Sequence, residues 1–395
     1  MLRLIHAPPE SKNAAFVAQV RRASNATRAY AVGAVSPYRF PVSLSRIEHR
    51  ATSRGISSLS PESVIPVAVI GVGAFGRNHA RVYKQLEKDG TGVRLLGVVD
   101  PDLGRADTVA REFDCRSFGS LEQLLTTHSE LQAASVTVPT VHHLQVARAL
   151  MDAGVDVLIE KPLATSLAEA DELLQLARNR ARVAQVGHLE RFNPAVRATI
   201  PLITQPMFFE VHRLSIFTPR ALDVDVVLDL MIHDLDIVLA FVHSPVKEVR
   251  AVGLPILSGK TDIANVRVEF ESGCVANFTA SRVSTERVRK LRFFQPRQYV
   301  SLDYGRQDVL VFTVAEEGAQ PANPSVNPQI GMTRPPIVSE EPLLAELKAF
   351  LDAVRTRSTP VVPLEDGRRA LALALEVVEN IRDHGHRIQI EQLAP

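Results

Sequence analysis

Two ionisable residues stand where a helix would place them for proton transfer. Asp229 and His233 are four residues apart in an apolar segment that predicts a helix over about 224–242. Residues i and i+4 share a helix face, so the carboxylate can orient the imidazole as a general base. The alternatives are a satisfied core pair, helix-capping acids, or a metal site of His233, Asp234 and Asp236. Because neighbours on a helix point apart, no metal is expected.

A third candidate is the lysine of Glu160-Lys161-Pro162, which follows a predicted strand at 155–160. Ligands of open α/β sheets bind at the carboxyl ends of the strands. Lys161 can therefore reach a substrate oxygen or a cofactor hydroxyl there. The alternative is that it only begins a helix beside a proline turn.

A glycine-rich loop precedes these residues. A β-branched run at 67–72 predicts a buried strand, and a helical pattern follows over 75–86. Between them, one glycine allows a tight turn, a second lets a pyrophosphate approach the backbone, and a third lets helix and strand pack closely. The residues expected to contact a dinucleotide are Gly71, Gly73, Ala74, Phe75 and Gly76.

Asp100 ends the next predicted strand, 93–99, and follows Gly76 by 24 residues. This spacing suits a carboxylate that binds the hydroxyls of the adenosine ribose. A carboxylate repels the 2′-phosphate of NADP, so NAD is expected, while the nearby Arg105 leaves NADP open. The alternative is that Asp100 caps the next helix.

The surrounding pattern predicts two folded domains and an extension. Strands alternate with helices as far as 187, which predicts an α/β Rossmann domain with a doubly wound parallel sheet. Successive strands then predict an α+β domain with a large, mostly antiparallel, open sheet. The expected divisions are 1–62, a basic extension typical of disorder; 63–187, the Rossmann domain; 188–362, the substrate and oligomerisation domain; and 363–395, a C-terminal helix and tail that pack back toward the domain junction.

Composition restricts the partners. The 395 residues carry a net charge of +1 and are 46% hydrophobic, which gives no reason to expect nucleic acid or a membrane. Cys115 and Cys274 are the two cysteines and form no metal or redox motif, which fits a reducing compartment such as the cytoplasm. The sequence has no apolar run of 18 residues and predicts no transmembrane helix.

Two further segments are candidates for substrate contact. The crossing between domains, Gly187-His188-Leu-Glu-Arg191-Phe-Asn193-Pro194, is expected to line the cleft or to act as a hinge capped by Asn193. The strand at 287–294 carries basic side chains on both faces. They form either a solvated edge or a site for an anionic group such as a nucleotide diphosphate, or they meet a paired subunit. The substrate-binding candidates are His188, Arg191, Asn193, Arg289 and Arg292.

The glycine loop, Glu-Lys-Pro, Arg-Phe-Asn-Pro and the Asp-x-x-x-His helix, in this order, resemble the glucose–fructose oxidoreductase, inositol dehydrogenase and MocA family over about 64–385. The resemblance implies an NAD(P)-dependent dehydrogenase of a sugar or polyol that forms homodimers or homotetramers through the open sheet. It places Lys161, Asp229 and His233 in the catalytic group and implies a cis peptide bond before Pro162. It adds Pro139, His143, Glu160 and Lys161 to the cofactor site.

Within the family the similarity is greatest to members that oxidise C3 of UDP-N-acetylglucosamine for the diamino sugar of lipid A. The motif Val138-Pro139-Thr140 departs from the common Thr-Pro-Asn, so the substrates of the best-known members are not assumed. The alternatives are a dehydrogenase of a free sugar or polyol and a non-catalytic NAD-dependent sugar sensor.

Overall fold

The computed structural model describes residues 64–218, 224–314 and 330–388. The expected extension at 1–62 and the end of the tail, 389–395, lie outside these residues. Along the described chain, no helix is long and apolar enough to cross a membrane.

The first domain is a six-stranded parallel sheet with helices on both faces, as the sequence predicted. The strand order is β3-β2-β1-β4-β5-β6, which reverses between β1 and β4. The strands are β1 (Ile65–Ile70), β2 (Val93–Val99), β3 (Arg116–Phe118), β4 (Ala133–Val136), β5 (Asp156–Glu160) and β6 (Ala184–Gly187). The helices are α1 (Ala74–Lys88), α2 (Leu103–Glu112), α3 (Leu121–Thr127), α4 (His143–Asp152) and α5 (Leu167–Asn179), with a 3₁₀ turn at Thr140–His142.

Side-chain caps fix where several of these helices begin. Asp102, Ser120 and Ser166 each accept a hydrogen bond from the backbone N–H three residues later. Every residue of β1 is buried, as expected for a central strand of a parallel sheet. The short strand β3 was absent from the sequence prediction, because three residues give too little periodicity.

The second domain is built on an eight-stranded sheet of order β14-β13-β12-β11-β7-β10-β9-β8. Its pairs are antiparallel except for β7 with β10. The strands are β7 (Phe208–Ile216), β8 (Val246–Leu254), β9 (Ile263–Phe270), β10 (Val275–Ser284), β11 (Val288–Gln295), β12 (Gln298–Asp303), β13 (Asp308–Val314) and β14 (Ile330–Thr333). The remaining elements are 3₁₀ turns at Leu189–Phe192 and Ile200–Leu202, a π-helix at Val227–Met231, and helices α6 (Pro194–Thr199), α7 (Ile232–Phe241), α8 (Pro342–Thr356) and α9 (Leu364–Arg387).

The last two helices join the domains. Leu347 and Phe350 of α8 are fully buried in the core beneath the Rossmann sheet, although the expected boundary at 362 assigned this helix to the second domain. In α9, Leu371 packs into the first domain and Val377 into the second. The domain boundaries stay a prediction, but these contacts hold the two sheets against one helix pair.

Candidate active site

The glycine loop has the shape that the sequence predicted. Gly71 has a φ of +89°, and a Cβ there would lie 2.8 Å from the backbone nitrogen of Val138. A Cβ on Gly76 would lie 1.9 Å from the carbonyl oxygen of Gly71. A Cβ on Gly73 would meet nothing within 4 Å, and no side chain caps α1 at this residue. Two glycines are therefore needed for packing, while the third leaves the helix N-terminus open to a phosphate.

Asp100 lies at the carboxyl end of β2 and is 3% exposed. Its carboxylate accepts hydrogen bonds from the backbone of Val72 and Asp102, each at 3.0 Å. Arg105 places Nη1 3.3 Å from Oδ2 of this carboxylate. Asp100 thus fixes the glycine loop against β2, at the edge where a ribose would bind, with a cation beside it.

The next two cofactor candidates differ in accessibility. Pro139 is exposed at this edge. His143 is 1% exposed, and its ring nitrogens lie 3.0 Å from the carbonyl oxygen of Val138 and 3.2 Å from that of Leu163. The expected direct contact of His143 with the cofactor stays a prediction. The buried ring connects the loops that follow β4 and β5.

Glu160 is an internal support in this structure, and its expected contact with the cofactor stays a prediction. It is 8% exposed; one oxygen lies 3.1 Å from Nε2 of His79, and the other accepts from the backbone N–H of Lys161 at 3.3 Å. A Cβ on Gly187 would lie 2.6 Å from this carboxylate. The peptide bond between Lys161 and Pro162 is cis.

Lys161 connects the two domains. Its Nζ donates to the carbonyl oxygen of Asp229 at 2.7 Å and lies 3.7 Å from Oδ1 of the same residue. Burial lowers the pKa of this ammonium, and the carboxylates of Asp229 and Glu160 oppose that shift. The structure thus brings the lysine of the first domain onto the Asp-x-x-x-His segment of the second.

His233 lies one turn further along, in the first turn of α7. Burial, followed by the charges of Lys161 and Arg213, lowers its pKa well below the usual range. The imidazole is therefore neutral at pH 7 and can accept a proton.

The expected hydrogen bond between Asp229 and His233 is absent. Nδ1 of His233 is buried with no partner, and the carboxylate of Asp229 faces Lys161 instead. Two physical reasons account for this: the segment winds as a π-helix over Val227–Met231, and an ammonium attracts a carboxylate more strongly than a neutral ring does.

The two carboxylates that follow His233, those of Asp234 and Asp236, are paired with arginines. Arg213 of β7 donates two hydrogen bonds to Asp234, at 2.6 and 2.8 Å, and one to Glu190 at 3.0 Å. Arg191 grips Asp236 at 2.6 and 2.9 Å. Both carboxylates considered for a metal site are thus paired with guanidinium groups, an arrangement that fixes α7 rather than one that holds a cation.

Three of the five residues expected to contact substrate are bonded within the protein or buried, and their contact with substrate stays a prediction. Arg191 is bound to Asp236 and, at 3.2 Å, to Asp366. Asn193 is 3% exposed and caps α6, as the hinge alternative had it. His188 is 1% exposed, with neither ring nitrogen hydrogen-bonded. All three lie beneath the surface of the cleft.

The remaining two candidates lie on opposite faces of β11. Leu291 and Phe293 are fully buried, so Arg289 shares their face, which carries α7, while Arg292 is on the outer face. Arg292 lies 3.6 Å from Glu210 there and cannot reach the site. Arg289 is paired in register with Arg213, and its Nε is buried without a partner.

Arg213 and Ser135 also belong to this region and were not among the predicted residues. The available signal was weak: Ser135 is the one polar residue of β4, and Arg213 is one of several polar residues in β7. Their partners come from distant parts of the chain, which no local pattern reveals.

A Rossmann loop, a carboxylate at the ribose edge, and a lysine bound to the segment that carries an unprotonated histidine are typical of an NAD-dependent oxidoreductase. Residues 65–188 match the model of the Gfo/Idh/MocA oxidoreductase family with an NAD-binding Rossmann fold, and residues 204–298 match the C-terminal domain of that family. The chain belongs to the Gfo/Idh/MocA family, and its cofactor is NAD.

Among its relatives is UDP-N-acetylglucosamine 3-dehydrogenase of Acidithiobacillus ferrooxidans, 37% identical over 78% of this chain and 95% of that enzyme. A solved structure of that enzyme gives a TM-score of 0.72 with 35% identity, covering 80% of this chain and 97% of the other. The scyllo-inositol 2-dehydrogenase of Bacillus subtilis is 28% identical over 56% of this chain and 69% of that enzyme. Levoglucosan dehydrogenase in complex with NADH, 16% identical over 81% of this chain and 98% of the other, shares the fold with a TM-score of 0.72.

Proposed function

We propose that this protein oxidises a secondary hydroxyl of a nucleotide sugar to a ketone, and that the substrate is UDP-N-acetylglucosamine oxidised at C3. The observation that carries the proposal is the contact of Lys161 with Asp229, which joins the cofactor domain to the helix of His233. The similarity to UDP-N-acetylglucosamine 3-dehydrogenase over most of both chains supports the substrate.

The residues divide the work as follows. His233 takes the hydroxyl proton, while Lys161 donates a hydrogen bond to the same oxygen and stabilises its developing negative charge. Bound NAD⁺ supplies the acceptor for the hydride that leaves the carbon. The C–H and O–H bonds break and the C=O bond forms, so the sugar is oxidised and the dinucleotide reduced. Asp229 holds Lys161 in place through its carbonyl oxygen and its carboxylate.

The loop from Gly71 to Gly76 would hold the pyrophosphate and Asp100 the adenosine ribose. Arg289 would bind the diphosphate of the sugar nucleotide, because it lies on the cleft face of β11 with an unpaired Nε. The neighbouring Arg213 is bound to Asp234 and Glu190, whereas Arg289 keeps donors for an anion.

The test is NADH formation, followed by its absorbance, with UDP-N-acetylglucosamine, free N-acetylglucosamine and myo-inositol as substrates. We expect turnover with the nucleotide sugar and far less with the other two. Turnover of myo-inositol or the free sugar at an equal or greater rate would refute the assignment of the substrate while leaving the oxidoreductase class intact.

We also propose that the protein is a homodimer or homotetramer through the outer face of the second sheet. A row of aromatic rings crosses this face from β7 to β13, with neighbouring centroids 5.8, 4.9 and 5.5 Å apart. The rings are Phe208, Phe294, Tyr299 and Phe312. Met332 beside them is 62% exposed, so the row extends an apolar surface that a second copy would cover. A mass from light scattering equal to one chain would refute the proposed oligomer.

Both cysteines are free, which supports a cytoplasmic location.

A further inference from the structure

A continuous line of buried hydrogen bonds runs beneath Lys161. The hydroxyl of Tyr83 lies 2.9 Å from Oγ of Ser135, and this Oγ lies 3.0 Å from Nδ1 of His79. Nε2 of His79 then lies 3.1 Å from Oε1 of Glu160. His79, Tyr83 and Ser135 are fully buried, and the line joins α1, β4 and β5. None of these contacts belongs to the glycine loop or to the groups that face the sugar.

The carboxylate at one end sets the direction of the hydrogen bonds in this line when the ring of His79 is neutral. A carboxylate only accepts, so Nε2 of His79 carries hydrogen and donates to Glu160. In a neutral ring, Nδ1 is then an acceptor and receives the hydroxyl hydrogen of Ser135, whose oxygen accepts from Tyr83. Burial raises the pKa of Tyr83, so its hydroxyl stays a donor.

A second buried carboxyl group determines where the negative charge lies. Glu346 of α8 is fully buried, and neither of its oxygens has a hydrogen-bond partner among the described residues. Burial and the nearby charge of Glu160 raise its pKa well above the usual range. Glu160 instead accepts from His79 and from the backbone of Lys161, so the charge of the pair is stabilised on Glu160.

We propose that His79 is a positioning residue for the lysine, holding the carboxylate of Glu160 so that Glu160 orients the turn that carries Lys161. This role rests on the proposed function of Lys161. Gly187 leaves room for this carboxylate, since a Cβ there would lie 2.6 Å from it. The hydrogen bond with His79, at 3.1 Å, then fixes where the carboxylate lies in that space.

The first experiment separates the two ring nitrogens by substitution. In His79→Gln the amide nitrogen replaces Nε2, while in His79→Asn the amide reaches only the position of Nδ1. Because a hydrogen bond to a charged group is lost, we expect His79→Asn to lower kcat by about tenfold or more. KM for the sugar and the affinity for NADH should change by less than about threefold, since their contacts lie elsewhere. His79→Gln should restore kcat to within about threefold of wild type.

Tyr83→Phe serves as the matched control, because it removes only the hydroxyl at the far end of the line. We expect its kcat to stay within about threefold of wild type. Thermal unfolding of each variant reports packing separately. If His79→Asn retains full kcat, or if His79→Gln loses as much kcat as His79→Asn at equal melting temperature, His79 does not position the lysine.

The second experiment does not depend on turnover. Nitrogen-15 NMR of histidine-labelled wild-type protein should show hydrogen on Nε2 of His79, and Glu160→Gln should shift that resonance. A ring with hydrogen on Nδ1 and none on Nε2 would overturn the proposed bond from His79 to Glu160. If the protein oxidised no sugar at all, the proposed function would fail, while this spectrum would still test the bond from His79 to Glu160.

Discussion

Arg289 and Arg292 offer the sharpest test of how the substrate binds, because they lie three residues apart on one strand and face opposite ways. Arg289 is on the cleft face with an unpaired Nε, and burial followed by the charge of Arg213 lowers the pKa of its guanidinium. A cation that is partly desolvated and lacks a carboxylate partner gains by binding an anion. Arg292 is on the outer face with Glu210 as its partner.

The expected change in KM follows from the single hydrogen bond between Arg289 and the diphosphate that the substitution removes. A hydrogen bond to a charged group contributes about 1.5–3 kcal/mol, which corresponds to a factor of roughly 10–150 in binding. We expect Arg289→Met to raise KM for UDP-N-acetylglucosamine by this factor, with the affinity for NADH unchanged. Arg292→Met, of the same change in volume and charge, should alter KM by less than about twofold, since exposed ion pairs contribute little.

The assay is initial-rate NADH formation over a range of substrate concentrations, with NADH affinity measured separately by fluorescence. A free sugar without a diphosphate provides a second control, because its KM should not respond to Arg289→Met. Equal effects of the two variants on KM would refute the assignment of Arg289 to the diphosphate, and so would an effect of Arg289→Met that is as large for the free sugar.

Further predictions concern the base, the loop, a buried acid and the outer sheet face. His233→Ala should lower kcat by about 10²–10⁴-fold with NADH binding intact. Because the pKa of His233 is lowered, kcat/KM of the wild-type protein should persist below pH 6.5 and fall only in more acidic buffer. A loss of kcat/KM centred at or above neutral pH would contradict this role of His233. Gly76→Ala should abolish NADH binding, because the added methyl group would lie 1.9 Å from the carbonyl oxygen of Gly71. Gly73→Ala should leave the melting temperature unchanged, because its methyl group would meet no protein atom within 4 Å. If the two variants had equal melting temperatures and equal affinities for NADH, the loop geometry would be contradicted. The pKa of Glu346 is raised in the folded state, so the free energy of unfolding falls as the pH rises above the unfolded pKa near 4.5. The loss is up to about 1.4 kcal/mol per pH unit until the folded pKa is reached. Glu346→Gln should therefore melt higher than wild type at pH 8, with the gain shrinking toward pH 5, and a gain that does not vary with pH would show that Glu346 is not a buried acid of raised pKa. Tyr299→Arg should reduce the mass measured by light scattering if the aromatic row is an interface, whereas Lys247→Ala, elsewhere on the surface, should not.

Local patterns predicted the fold and the cofactor loop well, because both depend on short stretches of sequence. The apolar run before Gly71 is typical of a buried strand, and Gly71 and Gly76 meet steric demands that leave no room for a Cβ, while Gly73 leaves the helix N-terminus open. The contact of Lys161 with Asp229 follows from the position of the lysine at the end of β5, where the second domain meets the sheet.

The sequence predicts less where tertiary partners decide the role of a polar side chain. Arg191 and Asn193 have the composition of a binding site, but Arg191 donates to Asp236, and the side-chain oxygen of Asn193 accepts from the backbone N–H of Ala195 at the start of α6. Alternation along β11 could have excluded Arg292, since only one face of a strand can line a cleft. No local pattern connects His79 with its partners Ser135 and Glu160, which are 56 and 81 residues away.

The central claim is that hydride leaves C3 of a nucleotide sugar for NAD⁺ at the junction of the two domains. The most direct measurement uses UDP-N-acetylglucosamine deuterated at C3, with mass spectrometry of the reduced cofactor. The account predicts NADH that carries the deuterium, formed by the wild-type protein and at a greatly reduced rate by His233→Ala. Unlabelled NADH, or labelled NADH formed equally fast without His233, would contradict it.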